Sequence, residues 1–175
     1  MEMLSEAFMA VWAAGRAAGI DAFAAATGQT PGDNELEGLT WGLYQAGKEV
    51  TASQYQHALA GFQMLGREMA RFHSTYDLWM TTTLGAPPIE LGRIDIGNRN
   101  AAEAFAPVID YVPFTAIENA TGQPAISLPL HWSETGLPVG VMFAAGFGEE
   151  GLLYRLAGQL EQAKPWAGKN PAIWN

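Results

Sequence analysis

The sequence contains no cysteine among its 175 residues. A disulfide framework, a thiol nucleophile and a cysteine-ligated zinc site are therefore excluded. The three histidines, His57, His73 and His131, lie far apart and show no metal-ligand spacing. The sequence therefore predicts no metal site.

Positive charge is also scarce. Lysine and arginine total 9 residues against 18 aspartates and glutamates, which gives a formal net charge of −9. Nucleic acids and anionic membrane surfaces are bound mainly through clustered lysine and arginine side chains. We therefore expect neither nucleic acid nor a membrane as a partner.

The sequence also lacks the residue pattern of a targeting signal and that of a membrane-spanning segment. The acidic start at residues 1–6 lacks the basic region of a secretory signal. The apolar residues 7–15 are followed by Arg16 and Asp21, far short of the ~20 apolar residues of a membrane span. We expect a cytoplasmic protein.

Charged residues make up only 15% of the chain, against about 25% in a typical soluble domain. Apolar residues make up 49%, and a chain this short cannot bury all of that surface in its own core. Either small alanine and glycine side chains lie on the surface, or another polypeptide covers part of the apolar surface.

The first half of the sequence has helical periodicity. Gly15 and Gly19 weaken helix formation locally and predict two short helices within residues 4–26. The sequence Thr-Ala-Ser-Gln at 51–54 fits a capping box. Bulky apolar residues spaced three or four apart follow it and predict a long amphipathic helix over 53–73.

The periodicity changes after the long helix. Residues 76–84 are rich in β-forming side chains and predict a strand that runs into a proline-rich loop. Residues 101–121 are predicted to be mostly helical, with interruptions at Pro107 and Pro113.

The last third of the sequence predicts a hairpin and a helix. Residues 125–130 predict a buried strand, and residues 139–145 predict a second apolar strand that pairs with it as a hairpin across a Thr-Gly-Leu-Pro turn. The helix that follows has Glu149 and Glu150 at its start and is stopped by Pro165.

A glycine-rich pattern lies between the second hairpin strand and this helix. Gly146, Gly148 and Gly151 match Gly-x-Gly-x-x-Gly, the fingerprint of dinucleotide-binding sites. Glu149 and Glu150 would repel a pyrophosphate, and no later strand is predicted that would present a ribose-binding acid. A tight strand-to-helix turn is the preferred interpretation, with a dinucleotide-binding domain as the alternative.

A self-contained serine triad is not predicted. Ser127, Ser133, His131 and Asp110 are present, but neither serine lies in a Gly-x-Ser-x-Gly elbow.

The segment 113–130 carries the most specific motif. It contains Pro-Phe-Thr and then Asn-Ala-Thr-Gly-Gln-Pro-Ala, and Gly-Leu-Pro-Val-Gly at 136–140 and a helix ending in Lys-Pro-Trp at 164–166 follow it. This ordered string resembles the C-terminal region of the amidase signature family. Within that family it is most similar to bacterial amidases and 6-aminohexanoate cyclic-dimer hydrolases.

The resemblance implies an α/β fold, namely the C-terminal part of the amidase-signature fold with helices packed on a partial mixed β-sheet. Residues 1–175 would form a single region, mainly helical over 1–75, with strands, a hairpin and helices over 76–175. The N-terminal catalytic core would be absent. The chain would then expose an apolar face, covered by the missing N-terminal amidase portion or by self-association.

Family members hydrolyse amides with a Ser–Ser–Lys triad, which this sequence does not match. Its five serines never adjoin, and its three lysines, Lys48, Lys164 and Lys169, do not match the family's lysine position. We assign no catalytic residue and expect the chain alone to be inactive. As part of a complete enzyme it would help to cleave C–N bonds of a small amide substrate, without a metal or organic cofactor.

The resemblance also implies substrate contacts in the complete enzyme. Candidates are Thr82 and Thr83 at the end of the predicted strand, and Asn119 and Thr121 around the motif turn. The alternative to an enzyme part is a non-catalytic interaction module derived from the same fold.

Overall fold

The structure is a computed structural model that describes residues 2–170, with side chains from residue 4 onward. Its helices and strands form two compact units, one of residues up to 65 with 88–111, the other of residues 66–87 with 112 onward. The elements are α1 Glu2–Thr27, α2 Gly38–Glu49, α3 Ala52–His73, β1 Leu78–Thr82, α4 Ala101–Tyr111, α5 Ala116–Thr121, β2 Ala125–Trp132, β3 Pro138–Ala145 and α6 Glu150–Ala163.

Helix α1 runs unbroken over residues 2–27, so the prediction of two short helices is wrong. Gly15 and Gly19 each cost about 1 kcal/mol relative to alanine in a helix. Packing offsets this cost, because Ala13 and Ala17 are buried on the same helix. Neither α1 nor any other helix within residues 2–170 is long and apolar enough to cross a membrane.

Helix α2 approaches its neighbours through glycines. A Cβ added to Gly47 would collide with the carbonyl oxygen of Ala13 in α1, and one added to Gly42 would collide with that of Arg99. Ala13, Leu43 and Ala101 form the buried core at this place. The glycines therefore allow a close approach that a side chain at either position would prevent.

Helix α3 begins with the predicted capping box. The Thr51 N–H donates to Gln54 Oε1 at 2.9 Å, and the Gln54 N–H donates to Thr51 Oγ1 at 3.2 Å. Each side chain thus satisfies a backbone N–H group that the first helical turn leaves without a partner. The helix spans residues 52–73, in agreement with the predicted 53–73.

Pro107 lies inside α4, so the predicted interruption at this residue is wrong. An interior proline removes one helical hydrogen bond. Burial of Ala104 and an edge-to-face contact between the Phe105 and Trp12 rings, with centroids 4.6 Å apart, help to hold the helix in place. Pro113 does lie in the gap between α4 and α5, as predicted.

The sheet has the strand order β1-β3-β2, and β3 pairs antiparallel with both neighbours. The predicted β2–β3 hairpin is confirmed, and every strand pair within residues 2–170 is antiparallel. One face packs on α6 through Leu128, Phe143, Ala145 and Leu153. The β2 strand is only partly buried, contrary to the prediction, because its side chains alternate between the two faces.

The glycine-rich segment 146–151 forms the expected strand-to-helix turn. Gly148 has a φ of 84°, which a residue with a side chain rarely adopts. A dinucleotide-binding unit places this turn after a parallel strand, whereas β3 is antiparallel to both of its neighbours. The dinucleotide-binding alternative therefore lacks its structural context in the described part of the chain.

Candidate functional site

The end of β1 places Thr82 and Thr83 on opposite faces of the sheet, because successive side chains of a strand alternate. Thr82 pairs with Val141 and shares the face that packs on α6. Thr83 lies one residue beyond β1, and its N–H donates to the Gly140 carbonyl oxygen at 3.0 Å. Thr83 therefore continues the pairing with β3 and points to the other face.

Thr83 meets a second hydroxyl, that of Ser127 in β2. The Thr83 Oγ1 and Ser127 Oγ atoms are 2.5 Å apart, although β3 lies between their strands. Next-nearest strands are about 9–10 Å apart, so both side chains must reach over the central strand. We call Thr83 and Ser127 the hydroxyl pair.

Gly140 makes room for the hydroxyl pair. A Cβ at this position would lie 2.6 Å from Thr83 Oγ1 and 2.8 Å from Ser127 Oγ. Both distances are too short for any real side chain, so a residue other than glycine would push the hydroxyls apart. Neither Ser127 nor Gly140 was predicted from the sequence as a site residue. Combining the register of the hairpin with a β1–β3 pairing is the signal that could have found them.

Asn119 and Thr121 lie on α5, where their side chains bond to the helix itself. Asn119 Nδ2 donates to the Thr115 carbonyl oxygen at 3.0 Å, and Thr121 Oγ1 donates to that of Ile117 at 2.9 Å. Gly122 then ends the helix with a φ of 73°. Both candidate side chains thus take part in the local structure of the motif.

The four predicted substrate-contact residues form two groups in the same unit. Thr82 and Thr83 end β1, whereas Asn119 and Thr121 belong to α5. Within residues 2–170, no hydrogen bond joins one group to the other. The structure therefore brings Thr83 to Ser127 rather than to the other candidates.

Glu118 and Gln123 are polar residues of the motif that were not predicted as site residues from the sequence. Burial raises the pKa of the Glu118 carboxyl above its usual range. Glu118 Oε2 and Gln123 Nε2 are both buried, and neither has a hydrogen-bond partner in the described part of the chain. The only signal for Glu118 in the sequence is an acid that directly follows the apolar Ile117 in α5.

Lys48 and its ion-pair partner both belong to the other compact unit. Its Nζ lies 2.9 Å from Asp21 Oδ2, and the Tyr44 hydroxyl donates to Asp21 Oδ1 at 2.8 Å. The hydrogen bond to Asp21 raises the pKa of Lys48, and the same bond lowers the pKa of Asp21. A lysine that acts as a base needs a lowered pKa, so the surroundings of Lys48 oppose that role.

The other two lysines are placed near the end of α6. Lys164 directly follows the last residue of this helix, and its N–H donates to the Leu160 carbonyl oxygen. Lys169 lies over the Trp132 ring, with its Nζ 4.2 Å from the ring centroid. Within residues 2–170, no group of three or more histidine or acidic side chains could hold a metal ion.

Comparison with known families and proteins places these residues in context. The family model described as Amidase matches residues 2–154. A putative amidase AmiC from Mycobacterium leprae is 38% identical over 146 residues, which cover 81% of this chain and 30% of that protein. A 6-aminohexanoate-cyclic-dimer hydrolase from Paenarthrobacter ureafaciens is 29% identical over 150 residues, 82% of this chain and 30% of that protein. The chain thus spans about 30% of the length of these relatives.

Solved structures agree with the sequence relatives. A 6-aminohexanoate cyclic dimer hydrolase complexed with substrate matches all of this chain and 37% of its own, with a TM-score of 0.89 and 26% identity. A bacterial aryl acylamidase of the amidase signature family matches 95% of this chain and 34% of its own, with a TM-score of 0.75 and 17% identity, and supports the fold alone. The predicted α/β class and the predicted family resemblance are confirmed. The chain belongs to the amidase family.

Proposed function

We propose that this chain is the C-terminal portion of an amide hydrolase. The family match over residues 2–154, together with relatives of which the chain spans only about 30%, carries the proposal. The order of the motifs at 113–130, 136–140 and 164–166 supports the C-terminal position. The chain contributes part of the sheet, a core and a wall of the substrate pocket.

Catalysis in this proposal needs residues from the N-terminal amidase portion. The five serines of the chain are never adjacent, and its lysines lie in an ion pair or near the end of α6. In the complete enzyme a serine hydroxyl attacks the amide carbonyl carbon and expels the amine. Water then hydrolyses the acyl-enzyme and releases the acid. No metal or organic cofactor takes part.

The proposed substrate contacts are Thr82, Thr83, Asn119 and Thr121. Asn119 and Thr121 would have to exchange hydrogen bonds within α5 for bonds to a substrate. The Thr83 hydroxyl bonds only to Ser127 among the described residues. Thr83 therefore needs less rearrangement than Asn119 or Thr121, whose side chains are bonded within α5.

The proposed partner is the N-terminal amidase portion. β1 and β2 are both edge strands of the described sheet, with one unpaired side each. Exposed apolar side chains lie near them, with Met80 65%, Phe147 85% and Tyr154 73% exposed. Free strand edges and apolar patches are surfaces that other polypeptide segments cover. Self-association would cover the same surface when the N-terminal portion is absent.

A complementation assay tests the proposal. The 175-residue chain is assayed alone and after co-folding with the N-terminal portion of a full-length relative, using an anilide and a cyclic amide. The cyclic amide is included because one relative is a 6-aminohexanoate-cyclic-dimer hydrolase. We expect no turnover by the chain alone and turnover by the co-folded sample, while the N-terminal portion alone is inactive.

Two outcomes would contradict the proposal. Turnover by the chain alone, in proportion to its concentration, would mean that it holds a nucleophile of its own. Formation of a stable complex without turnover would favour the non-catalytic interaction module instead. The cytoplasmic location and the single region over residues 1–175 stay predictions.

A further inference from the structure

We propose that the hydroxyl pair, Thr83 and Ser127, is a hydrogen-bonding site for the carbonyl oxygen of a small amide. Gly140 holds this site open beneath the two side chains. The inference rests on the proposed function for its choice of ligand. It adds Ser127 to the proposed substrate contacts and gives Gly140 a positioning role.

The number of hydroxyl hydrogens in the pair supports this inference. Two hydroxyl groups carry two hydrogens, and the bond between Thr83 Oγ1 and Ser127 Oγ uses one of them. Within residues 2–170, neither oxygen has another hydrogen-bond partner. The pair therefore presents one free O–H donor, together with lone pairs that can accept.

The position of the pair leaves this donor accessible. Ser127 is exposed, although Met142, its cross-strand neighbour on β3, is only 5% exposed. The covered part of this sheet face thus ends close to Ser127. A small molecule can reach the hydroxyls there without displacing a side chain of the sheet.

The geometry also orients the donor. At a separation of 2.5 Å one hydroxyl donates to the other, and either can be the donor, so the bond holds both oxygen atoms in place. A group ordered in advance loses less entropy when a ligand binds. A neutral O–H donor beside an acceptor lone pair matches an amide, which has a carbonyl acceptor and an N–H donor. An amide is therefore the chemical class that we assign to this site.

Methyl NMR on the 175-residue chain provides the first test. The chain is labelled at the threonine and methionine methyl groups and titrated with N-methylacetamide, and tert-butanol serves as a probe without a carbonyl. We expect N-methylacetamide to shift the Thr83 and Met142 signals in a saturable way. The shifts should be lost in Ser127→Ala and kept in Thr135→Val.

Thr135→Val is the matched control because Thr135 belongs to a second hydroxyl pair. Its Oγ1 lies 2.9 Å from Ser133 Oγ in the β2–β3 turn. If N-methylacetamide shifts neither signal, or shifts both equally in Ser127→Ala, the proposal is overturned. Unchanged methionine and threonine spectra outside the site show that each variant is folded.

The co-folded enzyme provides the second test. With 4-nitroacetanilide as substrate, we expect Ser127→Ala and Thr83→Val each to raise KM about threefold to tenfold, as for the loss of one neutral hydrogen bond. The kcat should change less than KM, since the bond is made in both the ground state and the transition state. Thr135→Val should leave both constants unchanged.

The two tests separate this inference from the proposed function. If the co-folded parent shows no turnover, the proposed function fails, and the NMR titration alone decides the hydroxyl pair. If the parent is active but KM is unchanged in both variants, the pair does not bind substrate and the inference is overturned. If KM is unchanged and the two variants also bind the N-terminal portion more weakly than the parent does, then that portion occupies the hydroxyls.

Discussion

Gly47 determines how closely α1 and α2 approach each other. A Cβ at this residue would collide with the carbonyl oxygen of Ala13 and lie 2.9 Å from the Ala17 Cβ. A helix backbone cannot move aside as a flexible side chain can, so the two helices would have to separate. We expect Gly47→Ala to lower the free energy of unfolding by about 1–3 kcal/mol, measured by urea denaturation.

Gly61 provides the matched control on α3. Apart from its two chain neighbours and the backbone of its own helix, no atom lies within 4 Å of a Cβ added there. Gly61→Ala should therefore raise the free energy of unfolding by up to about 1 kcal/mol, because alanine favours the helix. A Gly47→Ala variant as stable as Gly61→Ala would contradict the close packing of α1 on α2.

Glu118 makes the stability of the chain depend on pH. Burial raises the pKa of its carboxyl above the ordinary value of 4.5, so the folded state binds the proton more tightly than the unfolded state. This contribution is fully present below pH 4.5 and is lost as the pH rises through the raised pKa. Glu118→Gln should remove this decline in stability with rising pH. The variant should also be more stable than the parent at neutral pH.

Chemical denaturation at a series of pH values measures this effect. The exposed Glu134→Gln, in the β2–β3 turn, controls for the loss of one negative charge. If Glu118→Gln and the parent lost stability equally between acidic and neutral pH, burial of the Glu118 carboxyl would not be the cause.

At the scale of an element, the capping box determines where α3 begins. Thr51→Ala would remove the hydroxyl that accepts the Gln54 N–H and leave this group without a side-chain partner. We expect a loss of about 1 kcal/mol in the free energy of unfolding and faster hydrogen exchange in the first turn of α3. Thr30→Ala, at an exposed position outside the helices, should change neither.

Elements with strong local signals agree with their predictions from sequence. The capping box begins α3, and two apolar strands around a Thr-Gly-Leu-Pro turn form the β2–β3 hairpin. The failures involve Gly15 and Gly19 in α1 and Pro107 in α4. Each of these residues disfavours a helix by local propensity, and burial of neighbouring alanines outweighs that cost.

At the scale of the whole molecule, the low charged fraction of 15% has a structural counterpart in exposed apolar side chains. Phe147 and Tyr154 are 85% and 73% exposed. We expect the chain alone to self-associate in a concentration-dependent way, measured by sedimentation velocity. The double variant Phe147→Glu/Tyr154→Glu should reduce this association, because two charges oppose burial.

Leu91→Glu is the control for this prediction, since Leu91 is fully exposed in the other unit. It should leave the association unchanged. Co-folding with the N-terminal amidase portion should suppress the self-association of the parent. A parent chain that stays monomeric at every concentration would contradict the expectation that an exposed apolar face drives self-association.

The candidate site was predictable only in part. Thr83 was found because it lies at the end of a predicted strand, and Asn119 and Thr121 were found because they lie in a motif. The role of Ser127 depends on the order of three strands, since its partner is 44 residues away along the chain. Neither periodicity nor a short motif specifies which strands lie side by side.

The sequence by itself determined the family, the α/β class and the elements whose signals are local, because capping, turn formation and motif order depend on residues close together in the chain. Only the tertiary structure decided that Thr83 and Ser127 meet over Gly140, that Gly47 lies against Ala13, and that Glu118 Oε2 is buried. These features depend on strand register and helix packing. Both are set by contacts between residues that are distant in the sequence.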